Sequence, residues 1–182
     1  MNLPNLLSVL RIVLIPIFIL VFVHPTPLRS LLAAGVFIIA AVTDLLDGYL
    51  ARRWQQVTNL GKLLDPLADK LLILSALVML VDLQRIPGWI AIVIIGRELA
   101  VTGLRAIAAS EGIIIAADAA GKFKVLLQIL AVAFLILDFR TPLVTFSIIG
   151  QSLLALAMVL AITSAIQYAS RFYAALRLKV TP

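Results

Sequence analysis

The chain has no cysteine, one histidine and only nine acidic residues among 182. Without cysteine there is neither a disulfide framework nor a thiolate metal site. The single histidine, His24, stands in a proline-containing turn, His24-Pro25-Thr26-Pro27, and reads as a loop residue, not a ligand. Charged residues make up 13% of the chain and aromatics 7%. There is no low-complexity stretch, no long polar linker and no internal repeat, so residues 1–182 are expected to form one domain. The start, Met1-Asn2-Leu3-Pro4-Asn5, lacks the basic region of a signal peptide and is expected to be mature structure.

What fills the chain instead is apolar. Hydrophobic residues account for 63%, against about 45–50% in a soluble domain. They fall into six runs: about Leu6–Val23 with Pro16 inside, Leu31–Trp54, Gly61–Val81, a run after Pro87-Gly88 to about Ala109, Lys122–Leu137 and Leu143–Tyr173. Runs of this length predict an all-α protein with six transmembrane helices joined by short turns. The net charge is +6. Twelve of the fifteen basic residues (Arg11, Arg52, Arg53, Lys62, Lys70, Arg97, Arg105, Lys122, Lys124, Arg171, Arg177 and Lys179) fall on one side of that topology, leaving Arg29, Arg85 and Arg140 on the other. The positive-inside rule then places both termini on the cytoplasmic side of the cell membrane. The same bases suit anionic lipid or phosphate and argue against nucleic acid as a partner.

Four of the nine acidic residues stand within one 26-residue window: Asp44-x2-Asp47-Gly48-x2-Ala51-Arg52-x8-Gly61-x3-Asp65-x3-Asp69. An aspartate at the centre of a membrane helix costs roughly 2.5–3.5 kcal/mol even on the mildest scale, so four together need compensation. At about 100° per residue, Asp44, Asp47, Gly48, Ala51 and Arg52 share one face of the second helix. Gly61, Asp65 and Asp69 form an i, i+4, i+8 stripe on the third. A turn near Thr58-Asn59 makes the two helices antiparallel neighbours, so the two aspartate pairs meet at one depth near the cytoplasmic boundary. All-oxygen ligands favour Mg²⁺ or Mn²⁺. Two such ions fit the two-metal pattern for displacement at phosphorus. The competing local readings are ion pairs of Asp44 and Asp47 with Arg52 and Arg53, and Asp65 before Pro66 as a helix N-cap.

The string D-x2-D-G-x2-A-R-x8-G-x3-D-x3-D resembles the signature of the CDP-alcohol phosphotransferase family, and every specified position is matched. The resemblance covers the whole chain and implies six helices, with the signature across the second and third. It implies that the cytidine diphosphate of the donor lies against Asp44, Gly48, Ala51, Arg52 and Gly61. It further implies that Asp44, Asp47, Asp65 and Asp69 bind the metals and that Asp69 is the general base. An amino-terminal pattern of the family, Asn5-x2-Ser8-x2-Arg11, is expected beside the nucleotide. A homodimer is also implied.

The acceptor is addressed by later basic residues. Arg97 and Arg105 are eight residues apart, about 80° around a helix axis, and Lys122 and Lys124 open the fifth helix. Together they suit a phosphorylated acceptor; the competing reading is that they are positive-inside anchors or lipid head-group contacts. Gly96-Arg97-Glu98-Leu99-Ala100-Val101-Thr102-Gly103-Leu104-Arg105 and Gly121-Lys122-Phe123-Lys124 resemble the bacterial branch of the family that makes phosphatidylglycerol phosphate. Asn2-Leu3-Pro4-Asn5-Leu6-Leu7-Ser8 resembles it too, whereas Val125 departs from the threonine of that pattern. The implied substrates are CDP-diacylglycerol and sn-glycerol 3-phosphate. The alternatives are a family enzyme using serine or inositol phosphate, and a small transporter, against which the one-sided placement of the aspartates argues.

Overall fold

The computed structural model describes residues 3–54, 59–112, 119–139 and 145–180, with the side chains of 3–5, 7–8, 44–54, 59–67, 69, 119–122 and 178–180 excepted. Six α-helices follow one another, with no strand among the described residues: α1 Leu3–Phe22, α2 Pro27–Trp54, α3 Asn59–Asp82, α4 Gly88–Ser110, α5 Ala119–Leu137 and α6 Phe146–Val180. Each expected apolar run is a helix, and the differences lie at the ends. The second helix begins at Pro27 and not near Leu31. Thr26 caps it, its hydroxyl oxygen accepting from the backbone N–H of Arg29 at 3.2 Å. Proline at the first helical position needs no partner for an N–H it lacks. The sixth helix runs to Val180, because its polar last turns end the hydropathy run without ending the helix. Asp65 lies well inside α3, which removes its reading as an N-cap.

Helix α1 packs along both α2 and α3, and α6 lies against α5 and α4. Phe18, Phe22 and Phe37 are fully buried where α1 meets α2, and the ring centroids of Phe18 and Phe22 are 5.5 Å apart. Leu72, Leu77 and Leu80 of α3, Val132, Leu135 and Ile136 of α5 and Leu154 of α6 complete the core. Alanines at 33, 34, 40, 41, 76 and 131 are also buried. Such small residues let helix backbones approach one another closely.

At the end of the bundle away from the aspartates, polar bonds close the connections. α3 ends with Gln84 in a left-handed conformation (φ 56°), the N–H of Gln84 donating to Val81 O and that of Arg85 to Leu80 O, both at 2.9 Å. This is the Schellman arrangement, here without glycine. The Arg85 guanidinium donates from Nη1 to the carbonyls of Leu135 and Ile136 at 2.7 and 2.6 Å. It thereby caps α5, whose last carbonyls have no partner within the helix. Burial pushes Arg85 below its ordinary value, and Asp138, 3.8 Å away, offsets part of that. Arg85 is thus a structural cation.

Among the described residues one helix, α6 over Phe146–Arg177, is long and apolar enough by itself to cross a membrane. Shorter apolar stretches occupy Val9–Phe22, Pro27–Thr43 and Phe123–Leu137. Large hydrophobic side chains are exposed on several helices, among them Leu20, Leu28, Ile92 and Ile148, each more than 60% accessible.

Candidate functional site

Helices α2 and α3 are joined by four residues, 55–58. Asp44 and Asp47 stand toward the end of α2, and Asp65 and Asp69 in the first half of α3. Both pairs therefore belong to the same end of the bundle. Their side chains lie outside the described residues, as do those of Asn5, Ser8, Gly48, Ala51, Arg52, Gly61 and Lys122. What the fold supplies is the register: spacings of three and four residues keep each pair on one face of its helix. An all-carboxylate donor set in that register fits a hard divalent ion.

The described residues build the surroundings of that end. Arg11 of α1 is fully buried, and its Nε donates to the carbonyl of Ala40 at 3.3 Å. Ala40 is one turn before Asp44, so Arg11 is carried to within about 6 Å of the Asp44 level along the axis. Thr43 donates to the same carbonyl at 2.8 Å. On α3, Lys70 directly follows Asp69, and its Nζ donates to the Thr102 hydroxyl of α4 at 2.7 Å. Thr102 in turn donates to the carbonyl of Glu98 at 2.8 Å. The Asp69 turn of α3 and the 98–102 turn of α4 are thereby set at one level.

At that level the cations expected to receive the acceptor converge. Arg97 donates from Nε to the carbonyl of Ala161 on α6 at 2.9 Å, and from Nη1 to the Glu98 carboxylate. Lys124 of α5, buried, holds its Nζ 3.6 Å from the same carboxylate oxygen. Arg97 and Arg105 are both within electrostatic reach of Lys124. The Arg105 guanidinium lies 5.6 Å from the ring centroid of Tyr168 on α6, in range of a cation–π contact. Beside the cluster, between α3, α4 and α5, is a cleft of about 60 Å³. Its walls are apolar (Ile73, Leu77 and Ile94 among them), with Lys70, Glu98 and Gln128 as its polar lining.

Of the residues expected to bind the acceptor, the structure brings Arg97 and Lys124 together through Glu98 and sets Arg105 nearby. Sequence reasoning missed Lys70, Thr102 and Tyr168. In the sequence Lys70 reads only as one of the orienting charges. Thr102 carries no charge to attract notice, and Tyr168 meets Arg105 only through tertiary packing.

The family model for CDP-alcohol phosphatidyltransferase matches residues 1–175. The chain belongs to the CDP-alcohol phosphatidyltransferase family. It is 43% identical over 189 aligned positions to the CDP-diacylglycerol–glycerol-3-phosphate 3-phosphatidyltransferase of Bacillus subtilis (strain 168), covering 97% of each chain. A protein of the same name from Haemophilus influenzae is 40% identical over 172 positions, with 92% of this chain and 91% of that one covered. The Rickettsia bellii protein of that name is 37% identical over 171 positions, covering 92% and 93%. The family is one of transferases, so the chain is an enzyme class member and not a carrier.

Proposed function

We propose that the protein transfers the phosphatidyl group of CDP-diacylglycerol to sn-glycerol 3-phosphate, giving phosphatidylglycerol phosphate and CMP. The observation that carries this reading is the meeting of Arg97 and Lys124 at Glu98, on the turn of α4 that the Lys70–Thr102 bond sets level with Asp69. Cations so placed suit an acceptor that carries a phosphate dianion, whereas serine offers a singly charged carboxylate beside an ammonium that the cluster repels. The printed names of the relatives in Bacillus and Haemophilus agree with it.

In this reading the nucleotide of the donor rests on Asn5, Ser8, Arg11, Asp44, Gly48, Ala51, Arg52 and Gly61. Asp44, Asp47, Asp65 and Asp69 would hold two Mg²⁺ or Mn²⁺ ions, which neutralise charge on the pyrophosphate and on the departing CMP. Arg97, Arg105, Lys122 and Lys124 hold the acceptor phosphate and so aim its free hydroxyl. Asp69 takes the hydroxyl proton. The acceptor oxygen attacks the β-phosphorus, a new P–O bond forms, and the bond from that phosphorus to the oxygen shared with CMP breaks.

Residues 1–182 act as one domain with all six helices spanning the cell membrane, both termini and the site facing the cytoplasm, and two copies forming a homodimer. The apolar side chains exposed on α1, α2, α4 and α6 support a lipid surrounding. A polar site at the membrane boundary suits an amphipathic donor, whose acyl chains need lipid while its pyrophosphate needs water and metal. The deciding assay is CMP release by the purified protein in detergent, with glycerol 3-phosphate, serine and inositol phosphate offered separately. Release only with glycerol 3-phosphate is expected; release with serine alone, or without any acceptor, overturns the assignment.

A further inference from the structure

Two cations deserve a counter-charge wherever they are largely removed from water, because an uncompensated buried charge is strongly destabilising. Arg97 and Lys124 are such a pair, with side chains 10% and 6% exposed. They share one carboxylate oxygen, Oε2 of Glu98. Glu98 differs from both in being 44% exposed and in lining the cleft between α3, α4 and α5, where neither cation does. The carboxylate thus stands between the cations and the opening. Arg97 has its Nε committed to Ala161 O, so its outer nitrogens are what a ligand can use, and one of them is on Glu98.

We propose that the Glu98 carboxylate is a resident stand-in for the acceptor's phosphate, holding Arg97 and Lys124 in place until the incoming phosphate displaces it. This rests on the acceptor reading given above and adds an internal competing anion to it. A carboxylate carries one negative charge and two oxygens. A phosphate monoester carries nearly two charges and three terminal oxygens. The dianion outbids the carboxylate for two cations, whereas a singly charged anion has no such advantage. Once displaced, Glu98 has the open side of the cleft to swing into, consistent with its exposure. Glu98 therefore opposes acceptor binding and weak anions alike, and its removal strengthens both.

The test is steady-state kinetics of the purified full chain, with glycerol 3-phosphate varied at saturating donor and inorganic phosphate added as a competing anion. Wild type is compared with Glu98→Gln, Glu98→Asp and Arg97→Lys. A contact between charged groups is strong enough that Glu98→Gln should lower the inhibition constant of phosphate about tenfold, with the acceptor KM falling in the same direction. Glu98→Asp draws the carboxylate back by one methylene and should shift both the same way by less; it decides the question if the glutamine variant does not accumulate. A rise in both constants, or no change, overturns the proposal and makes Glu98 a brace for the cations. Arg97→Lys separates the two layers of argument. If it raises the donor KM and leaves acceptor and phosphate constants alone, the acceptor reading itself fails. If it raises the acceptor KM while both Glu98 variants do too, the pocket stands and only the stand-in role falls.

Discussion

At Gly150, α6 lies tightly against Leu135 and Ala131 of α5, and replacing it with alanine should loosen that contact. A Cβ added there would lie 2.6 Å from Cγ and 3.0 Å from Cδ2 of Leu135, and 3.1 Å from the carbonyl oxygen of Ala131. The carbonyl belongs to helix backbone and cannot move alone. Leu135 is 1% exposed and has no open space to retreat into. Two effects oppose each other. Alanine is favoured over glycine in a helix by about 1 kcal/mol, while forcing a methyl group into a packed contact costs about 1–3 kcal/mol. With both a buried side chain and a backbone atom in the way, the cost falls at the upper end of that range, about 2–3 kcal/mol, and the predicted net loss is about 1–2 kcal/mol. For a chain of this size the midpoint should fall by about 2–8 °C. The assay is thermal unfolding in detergent at one fixed scan rate, since an irreversible transition has a midpoint that depends on that rate. Gly35→Ala is the control, because nothing lies within 4 Å of its added Cβ; it should hold or raise the midpoint. Leu135→Ala removes the atoms that clash, so the penalty for Gly150→Ala should shrink in that background. A Gly150→Ala midpoint at or above wild type, or a penalty unchanged by Leu135→Ala, refutes the packing argument.

Other expectations follow from the site. Lys70→Met and Thr102→Val each break the bond between α3 and α4, and each should lower kcat about tenfold, with the double variant little worse than either single one; independent, multiplying losses would show that the bond is not what matters. Activity should vanish on chelation and return with Mg²⁺ or Mn²⁺, and full turnover in metal-free buffer would sink the carboxylate model. Asp69→Asn should abolish turnover while donor binding persists, whereas Asp44→Ala should weaken binding of CDP-diacylglycerol; near-normal turnover of Asp69→Asn would remove it as the base. In Asn2→Cys the chain's one thiol should resist a membrane-impermeant reagent applied to intact cells, and labelling there would contradict cytoplasmic termini.

The helices were legible because apolar composition over about 20 residues has few other outcomes. Their ends were less so. Thr26-Pro27 is a capping signal, but it lay next to His24-Pro25 and read as turn. Hydropathy ends the sixth run near Tyr173 because Arg171, Arg177 and Lys179 break the apolar pattern, although lysine and arginine are good helix formers and the helix continues to Val180. At the proposed site, fixed spacing singles out the aspartates one helix at a time, and their side chains lie outside the described residues. The cation cluster is legible in the sequence only as an inventory of charges. Residues 97 and 98 are about 100° apart on a helix, so adjacency in sequence gives no sign that they share a bond. That Lys124 joins them from α5, and that Arg97 spends one nitrogen on Ala161 of α6, are tertiary facts.

Helix α4 is where those facts meet. Within three turns it sends Arg97 to α6, Glu98 to α5, Thr102 to α3 and Arg105 back to α6. In a bilayer, apolar packing does little to fix how one helix is rotated or shifted against the next, because lipid tails are as apolar as leucine. Directional bonds can set that register, and here they are concentrated at the level of Asp69. The opposite end of the same helix starts just after the Arg85 clasp, whose guanidinium holds the α3–α4 connection against the end of α5. α4 is therefore pinned at both ends by polar groups, with apolar contacts between. The proposed reaction, which would align a hydroxyl held by the cations of α4 with Asp69 of α3, needs such pinning more than depth of core: a slip of α4 by one residue would move the cations about 1.5 Å along the axis and turn them about 100° away from Asp69.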